Sequence, residues 1–205
     1  MNVAANRIRR GRKYDQVVGG AREVFLQYGF EGASVDDIAR AAGVSKATLY
    51  SYFPDKRLLF LEVAKVDCCQ QAYDAVEEID PTLPVRDVLA ATATQMMCFL
   101  LSDIGRAVFR IVIAEAERFP ELGREYWRNG PARARHMLIG YFRHAIARGE
   151  LKIDDLDLAA DQFIELCKVD LFPRLMLGVD TEFEAKDYDR IAQGAIEMFM
   201  ARYGA

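Results

Sequence analysis

The sequence predicts an all-α protein in two parts, a small N-terminal unit of three helices and a larger helical body. Three observations lead there. Apolar residues recur at helical spacing along almost the whole chain, and no β-branched run alternates strictly between turn signals. Start and stop residues punctuate that periodicity: Ser34, Ser45 and Asp55 precede periodic segments, and Gly29 and Gly43 follow them. Charge is also unevenly divided. Residues 1–57 hold ten Lys and Arg against six Asp and Glu, a net +4, whereas residues 58–205 hold 17 against 25, a net −8. The expected division is therefore 1–57 and 58–205, with a polyanion as partner for the first part only.

The first helix is expected over Lys13–Tyr28, with Val17, Ala21, Val24, Phe25 and Tyr28 on one side and Gly29 as its C-terminal cap. Gly19-Gly20 in its middle costs about 1 kcal/mol per glycine relative to alanine, which points to close helix packing. Ser34 caps a second helix, helped by Asp36 and Asp37 in its first turn. Val35, Ile38, Ala39 and Ala42 make its apolar face. Gly43 stops it, and Ser45 caps a third helix two residues later, so the two cross steeply. The third helix, Lys46–Phe53, ends at Pro54, and Asp55 caps a long fourth helix to Ile79.

Asp80–Pro84 breaks the pattern before further helices at 85–101, 103–119, 121–129, 132–148, 158–177 and 187–203. Pro131 and Pro173 are expected to begin or kink helices. Arg148–Asp157 reads as a surface loop ending in an aspartate cap.

The third helix carries the chemistry. At roughly 100° per residue, Leu49 and Phe53 fall together toward a small core, and Ala47, Thr48 and Ser51 lie opposite. Tyr50 and Tyr52 stand on the two edges of that exposed face. Small residues let a helix go deep into a major groove, while phenols on either shoulder reach phosphates. Lys46 can reach a base edge or a phosphate. Lys56 and Ser34 sit at helix N-termini, where free amides already favour an anion. A capped helix, a two-residue turn and a second capped helix make a helix-turn-helix.

The stretch "EGASVDDIARAAGVSKATLYSYFPDKRLLF", Glu31–Phe60, resembles the N-terminal DNA-binding domain of the TetR family of transcriptional regulators. The family pattern GVSxxTLYxYFxxK is met at Gly43, Val44, Ser45, Thr48, Leu49, Tyr50, Tyr52, Phe53 and Lys56. The resemblance implies groove contacts from Lys46, Ala47 and Thr48, and phosphate contacts from Ser34, Tyr50, Tyr52 and Lys56. Ser45 would be the cap and a further phosphate contact. Ala47 and Ser51 stand where many members have glycine and histidine, which leaves the operator sequence open.

"FRIVIAEAERFPELGREYW", Phe109–Trp127, looks like the C-terminal domains of an AefR-like subgroup. The resemblance implies a helical domain that binds a small-molecule inducer and dimerises through its last two long helices, here 158–177 and 187–203. Their apolar stripes include Phe163, Leu166, Val169 and Leu171 on one, and Ile191, Ala195, Met198 and Phe199 on the other. Expected pocket-lining residues are Met96, Met97, Phe99, Phe109 and Tyr126, with Trp127, His136, Tyr141 and Phe142. Methionines and aromatics suit an apolar or aromatic ligand.

The remaining composition narrows the function classes. Cys68, Cys69, Cys98 and Cys167 match no metal spacing, and His136 and His144 lie far from them, so reduced thiols and no metal are expected. A redox role for Cys68 or Cys69 is the minor alternative. No Gly-rich phosphate loop or nucleophile–base pair points to an enzyme or a cofactor. No run of about 18 apolar residues could span a membrane, and the basic N-terminus lacks the apolar stretch of a secretory signal, so a cytoplasmic protein is expected. The leading reading is a ligand-responsive repressor acting as a homodimer on double-stranded operator DNA. The alternative is an architectural or assembly DNA-binding protein without an inducer.

Overall fold

The computed structural model describes residues 11–73, 79–180 and 182–205. The basic arm with Arg7, Arg9 and Arg10 lies outside the described residues, as do the side chains of Cys68 and Cys69. Among the described residues eleven helices follow one another: α1 Arg12–Gly32, α2 Val35–Ala41, α3 Lys46–Tyr52, α4 Lys56–Tyr73, α5 Val85–Leu100, α6 Asp103–Glu115, α7 Pro120–Asn129, α8 Pro131–Ala147, α9 Leu156–Leu166, α10 Leu171–Met176 and α11 Ala185–Tyr203. Among the described residues the only β pairing is an isolated antiparallel bridge between Leu151 and Gly204.

The chain divides into two compact units at 67/68, within α4, rather than at the expected 57/58. The first turns of α4 belong to the N-terminal unit because Leu59, Phe60 and Val63 are buried in its core. Phe60 meets Phe25 edge-on at 4.9 Å and Phe30 at 5.2 Å. Val17, Ala21, Ile38 and Leu49 are almost fully buried and complete that core.

α1 runs helically to Gly29, whose φ of 68° breaks it where a glycine cap was expected. Gly20 is buried because α2 ends against it. A Cβ there would lie 2.4 Å from the Ala42 backbone nitrogen and 2.8 Å from the Ala42 Cβ. Gly19 is exposed with nothing within 4 Å of its Cβ direction, and nothing in the structure explains it.

In the C-terminal unit, α11 packs on α5 and α9, and α8 on α7 and α9. Phe199 is the hub: its ring lies 5.1 Å from Phe142, 5.5 Å from Phe163 and 4.9 Å from Tyr203. The loop before α9 is less peripheral than expected. Leu151 is buried, and the Lys152 N–H donates to the Tyr203 carbonyl at 2.8 Å. Asp155 is the aspartate that caps α9, accepting the Leu158 N–H at 3.0 Å.

The helix expected over 158–177 is broken in two. Pro173 would clash with the Val169 carbonyl inside a continuous helix and removes a donor. The chain instead leaves α9 at Cys167, passes Asp170 at φ 65°, and restarts at Leu171 with Pro173 in the first turn of α10. Of the stripe residues assigned to that helix and to α11, Phe163, Leu171, Ile191, Ala195 and Phe199 are buried in the unit's own core. Val169 and Met198 remain exposed.

The two central glycines of α1 are expected to separate on substitution. Gly20→Ala should destabilise the protein by about 1–3 kcal/mol, because the added methyl meets backbone that cannot move aside. Gly19→Ala should stabilise it by about 0.5–1 kcal/mol. Urea denaturation of both variants checks this, and equal effects would refute the close-approach account.

Candidate nucleic-acid interface and cavity

In the N-terminal unit both short helices are closed by their own side chains. The Asp37 N–H donates to Ser34 Oγ and the Thr48 N–H to Ser45 Oγ, each at 3.1 Å. The Ser34 hydroxyl donates back to the Asp37 carboxylate, and this bond, with Arg40 at 2.8 Å, holds that carboxyl below its usual range. Gly43 makes the turn at φ 62°, and the Val44 N–H returns to the Ala39 carbonyl at 3.0 Å. α3 then starts after only two connecting residues.

Burial on α3 follows the expected wheel. Leu49 and Phe53 are buried, while Lys46, Ala47, Tyr50 and Ser51 are exposed and Thr48 and Tyr52 half-buried. The two tyrosines differ. Tyr50 is 48% exposed, whereas the Tyr52 ring packs edge-on against Tyr14 at 6.1 Å. Tyr14 in turn lies 5.7 Å from Phe53 and donates its hydroxyl to Glu62. The Ser51 hydroxyl donates to the Thr48 carbonyl at 2.6 Å.

The lysines are engaged within the unit. Lys46 Nζ lies 2.5 Å from Asp36 Oδ1, an ion pair from α3 back to α2 with both partners more than half exposed. Lys56 Nζ donates to the carbonyls of Phe30 and Ala33, at 2.8 and 3.0 Å, and sits 4.3 Å over the Phe30 ring. The helix N-terminus therefore does not hold this ammonium free at the surface. It fastens the α1–α2 turn immediately before the Ser34 cap. Asp55 caps α4 by accepting the Arg57 N–H at 2.8 Å, and hydrogen bonds from Arg57 keep its carboxyl below the usual range.

The C-terminal unit contains a cavity of about 120 Å³ between α5, α7, α8 and α9. Its wall is mostly apolar, with Met96, Phe99, Met137, Leu138 and Ile164. Thr92, Gln95, Tyr126 and Lys168 supply the polar side chains. Burial pushes the Tyr126 phenol up to about 12, so it stays neutral at physiological pH. Lys168 Nζ is 2.5 Å from Glu165 Oε1.

Of the nine lining residues expected from sequence, the structure brings Met96, Phe99 and Tyr126 to the cavity. Phe109 stands behind Tyr126, edge-on to it at 6.2 Å and to Phe172 at 5.0 Å. Met97, Tyr141 and Phe142 belong to the packed core instead, because one residue along a helix turns the side chain about 100° away. The Tyr141 hydroxyl donates to the Leu83 carbonyl at 2.6 Å and anchors the loop before α5. Trp127 and His136 face solvent; Trp127 is 53% exposed, with the Arg135 guanidinium 5.9 Å from its ring. Sequence reasoning missed Thr92 and Gln95, although they share one α5 stripe with Met96 and Phe99 at i, i+3, i+4 and i+7. It also missed Met137, Leu138, Ile164 and Lys168.

Neither candidate region offers a metal site: among the described residues no group of three or more His, Cys, Asp or Glu could hold an ion. Cys167 is buried, which pushes its thiol up to about 12, and Cys98 is an exposed free thiol. No helix among the described residues is long and apolar enough to cross a membrane.

Comparison with known proteins joins the two units to one lineage. Residues 17–63 match the model of bacterial regulatory proteins of the tetR family, and residues 87–205 match that of the AefR-like transcriptional repressor C-terminal domain. The HTH-type transcriptional regulator YdeS of Bacillus subtilis is 28% identical over 177 residues, which cover 84% of this chain and 85% of the relative. A TetR-family regulator structure from Mesorhizobium loti superposes with a TM-score of 0.77 at 27% identity, covering 95% of this chain and 98% of that one. The flavonoid-responsive regulator FrrA gives a TM-score of 0.69 at 30% identity over the same shares of the two chains. With the C-terminal model alone spanning more than half of the sequence, this chain belongs to the TetR family of DNA-binding transcriptional regulators and carries an AefR-like C-terminal domain.

Proposed function

We propose that the protein is a repressor that leaves its operator when a small apolar or aromatic molecule enters the C-terminal cavity. The observation that carries this reading is the pairing, in one chain, of an unpacked α3 face with an apolar cavity of about 120 Å³ in the other unit. Lys46, Ala47 and Thr48 read base edges in the major groove. Ser34, Ser45, Tyr50, Tyr52 and Lys56 hold phosphates on its walls. An architectural protein without an inducer would have no use for the cavity.

The relative FrrA is described as flavonoid-responsive, which supports an aromatic ligand. Two copies pair through α9, α10 and α11, where Leu158 on α9, Val169 in the link to α10 and Met198 on α11 are exposed apolar side chains. A dimer also meets the need for two recognition helices about 34–36 Å apart on one face of DNA. Ligand acts by population shift, favouring a conformation whose recognition helices no longer match successive grooves. α4 is the covalent link through which that shift passes.

Fluorescence anisotropy on duplex DNA from upstream of the protein's own gene tests the reading. Sequence-dependent binding is expected at low and moderate salt, and its absence at both would refute the reading. Tyr50→Phe should weaken specific and random DNA alike, whereas a change of base preference alone would contradict a phosphate contact.

The lysines should respond differently. The partners of Lys56 are neutral carbonyls and a ring face, so its charge is not cancelled. Lys56→Gln is expected to lower the salt-dependence slope of DNA binding by about 0.9 and also the thermal midpoint. An unchanged slope would assign Lys56 to holding the turn alone. Lys46 is offset by Asp36, so Asp36→Asn should tighten DNA binding by up to about five-fold at low salt. Weaker binding would mean that the ion pair orients Lys46 for the groove.

A further inference from the structure

Resting on the ligand-responsive reading above, we infer that the cavity takes an uncharged ligand with an apolar, ring-sized body and a hydrogen-bond acceptor, received by Tyr126 and Gln95. The polar groups on the wall point to this chemistry. Thr92 and Gln95 stand one turn apart on α5, and Tyr126 comes from α7. None of these three side chains has a hydrogen-bond partner among the described residues. Tyr126 is half-buried, and its hydroxyl is left free to donate to whatever occupies the cavity. A ligand acceptor facing the hydroxyl supplies what the protein does not. The upward displacement of the Tyr126 phenol makes it a neutral donor throughout the physiological range. Gln95 offers both a donor amide and an acceptor carbonyl, and Thr92 a rotatable hydroxyl, so a second polar atom on the ligand can be met from α5.

The charge on the wall argues against an ion. Among the described residues Lys168 is the one charged member of the lining, and its ammonium is already paired with Glu165, whose side chain is 70% exposed. Among the described lining residues an anion would find no unpaired cation, and a cation would find no carboxylate. Burying either without a counter-charge is strongly unfavourable. Size and shape complete the class. The cavity has the order of volume of a dry engineered cavity, roughly 150 Å³, that admits a benzene ring. Met96, Met137 and Phe99 present polarisable and aromatic surface suited to the edges and faces of a ring.

Three probes of one ring size test the inference on the full-length protein: acetophenone, ethylbenzene and benzoate. Calorimetric titration should show acetophenone binding at least about five-fold more tightly than ethylbenzene, the ratio one hydrogen bond supplies. Benzoate should be the weakest. In Tyr126→Phe the ratio of acetophenone to ethylbenzene should fall toward one, while ethylbenzene still binds; a variant that failed to fold would lose both. Equal affinity for ketone and hydrocarbon in the wild type would overturn the inference, as would benzoate binding tightest or none of the three binding up to its solubility limit. These failures leave the regulator reading standing, because that reading falls only if the unliganded protein shows no sequence-dependent DNA binding.

Discussion

Everything that the N-terminal unit offers to solvent depends on how closely α2 lies against α1. A short helix of seven residues has too little apolar surface to fix its own position. Two contacts at its ends do this instead. At its C-terminal end Ala42 presses onto Gly20, a contact that any side chain at position 20 would obstruct. Just before its N-cap, Lys56 holds the carbonyls of Phe30 and Ala33. With both ends held, the Gly43 turn begins at a fixed place and sends α3 off with Leu49 and Phe53 inward. The outward position of Lys46, Ala47 and Tyr50 is thus a consequence of packing several residues away from them.

The charges reinforce this division of labour. The whole chain is acidic at −4, yet its first 57 residues carry a net +4. A polyanion approaching the protein is attracted by one unit and repelled by the other, which restricts productive encounters to the helix-turn-helix. Within that unit the attraction is moderated by Asp36 beside Lys46. An exposed pair of this kind contributes little stability, about 0–1 kcal/mol. Its effect falls on the potential at the exposed face of α3.

Much of the N-terminal unit was legible because its determinants are local. Ser34, Ser45 and Asp55 lie within three residues of the N–H groups they accept, and Leu49 and Phe53 are one helical turn apart. What escaped were contacts across long sequence separations. The carbonyls bound by Lys56 lie 23 and 26 residues away, and no helix-terminus rule brings them to mind. In the larger unit the same limit operates on side chains. Met96 and Met97 are indistinguishable by composition, yet one meets the cavity and the other the core. Thr92 and Gln95 carry no apolar signal, and polar side chains on an amphipathic helix ordinarily mark its wet face. Pro173 was recognised as a helix breaker, but the place of the restart depended on Asp170, whose positive φ no local pattern announced.

The cavity itself has a simple origin in side-chain size along α8. This helix starts at Pro131 directly after Gly130, and its next residue on that side is Ala134. Gly130, Pro131 and Ala134 put little side chain into the space facing α5 there. One turn further, Leu138 begins to fill the space, and Phe142 closes it by stacking on Phe199. The same set of helices is therefore dense at the Phe142–Phe199 end and open at the Gly130–Ala134 end. Interiors are otherwise packed nearly as closely as organic crystals, so an opening of about 120 Å³ bounded by small residues on one wall stands out from the rest of the unit. Because the dense end already secures the fold through Phe142, Phe163 and Phe199, the open end is spared from carrying the core, and a ligand of the kind proposed would enter there without the core being dismantled.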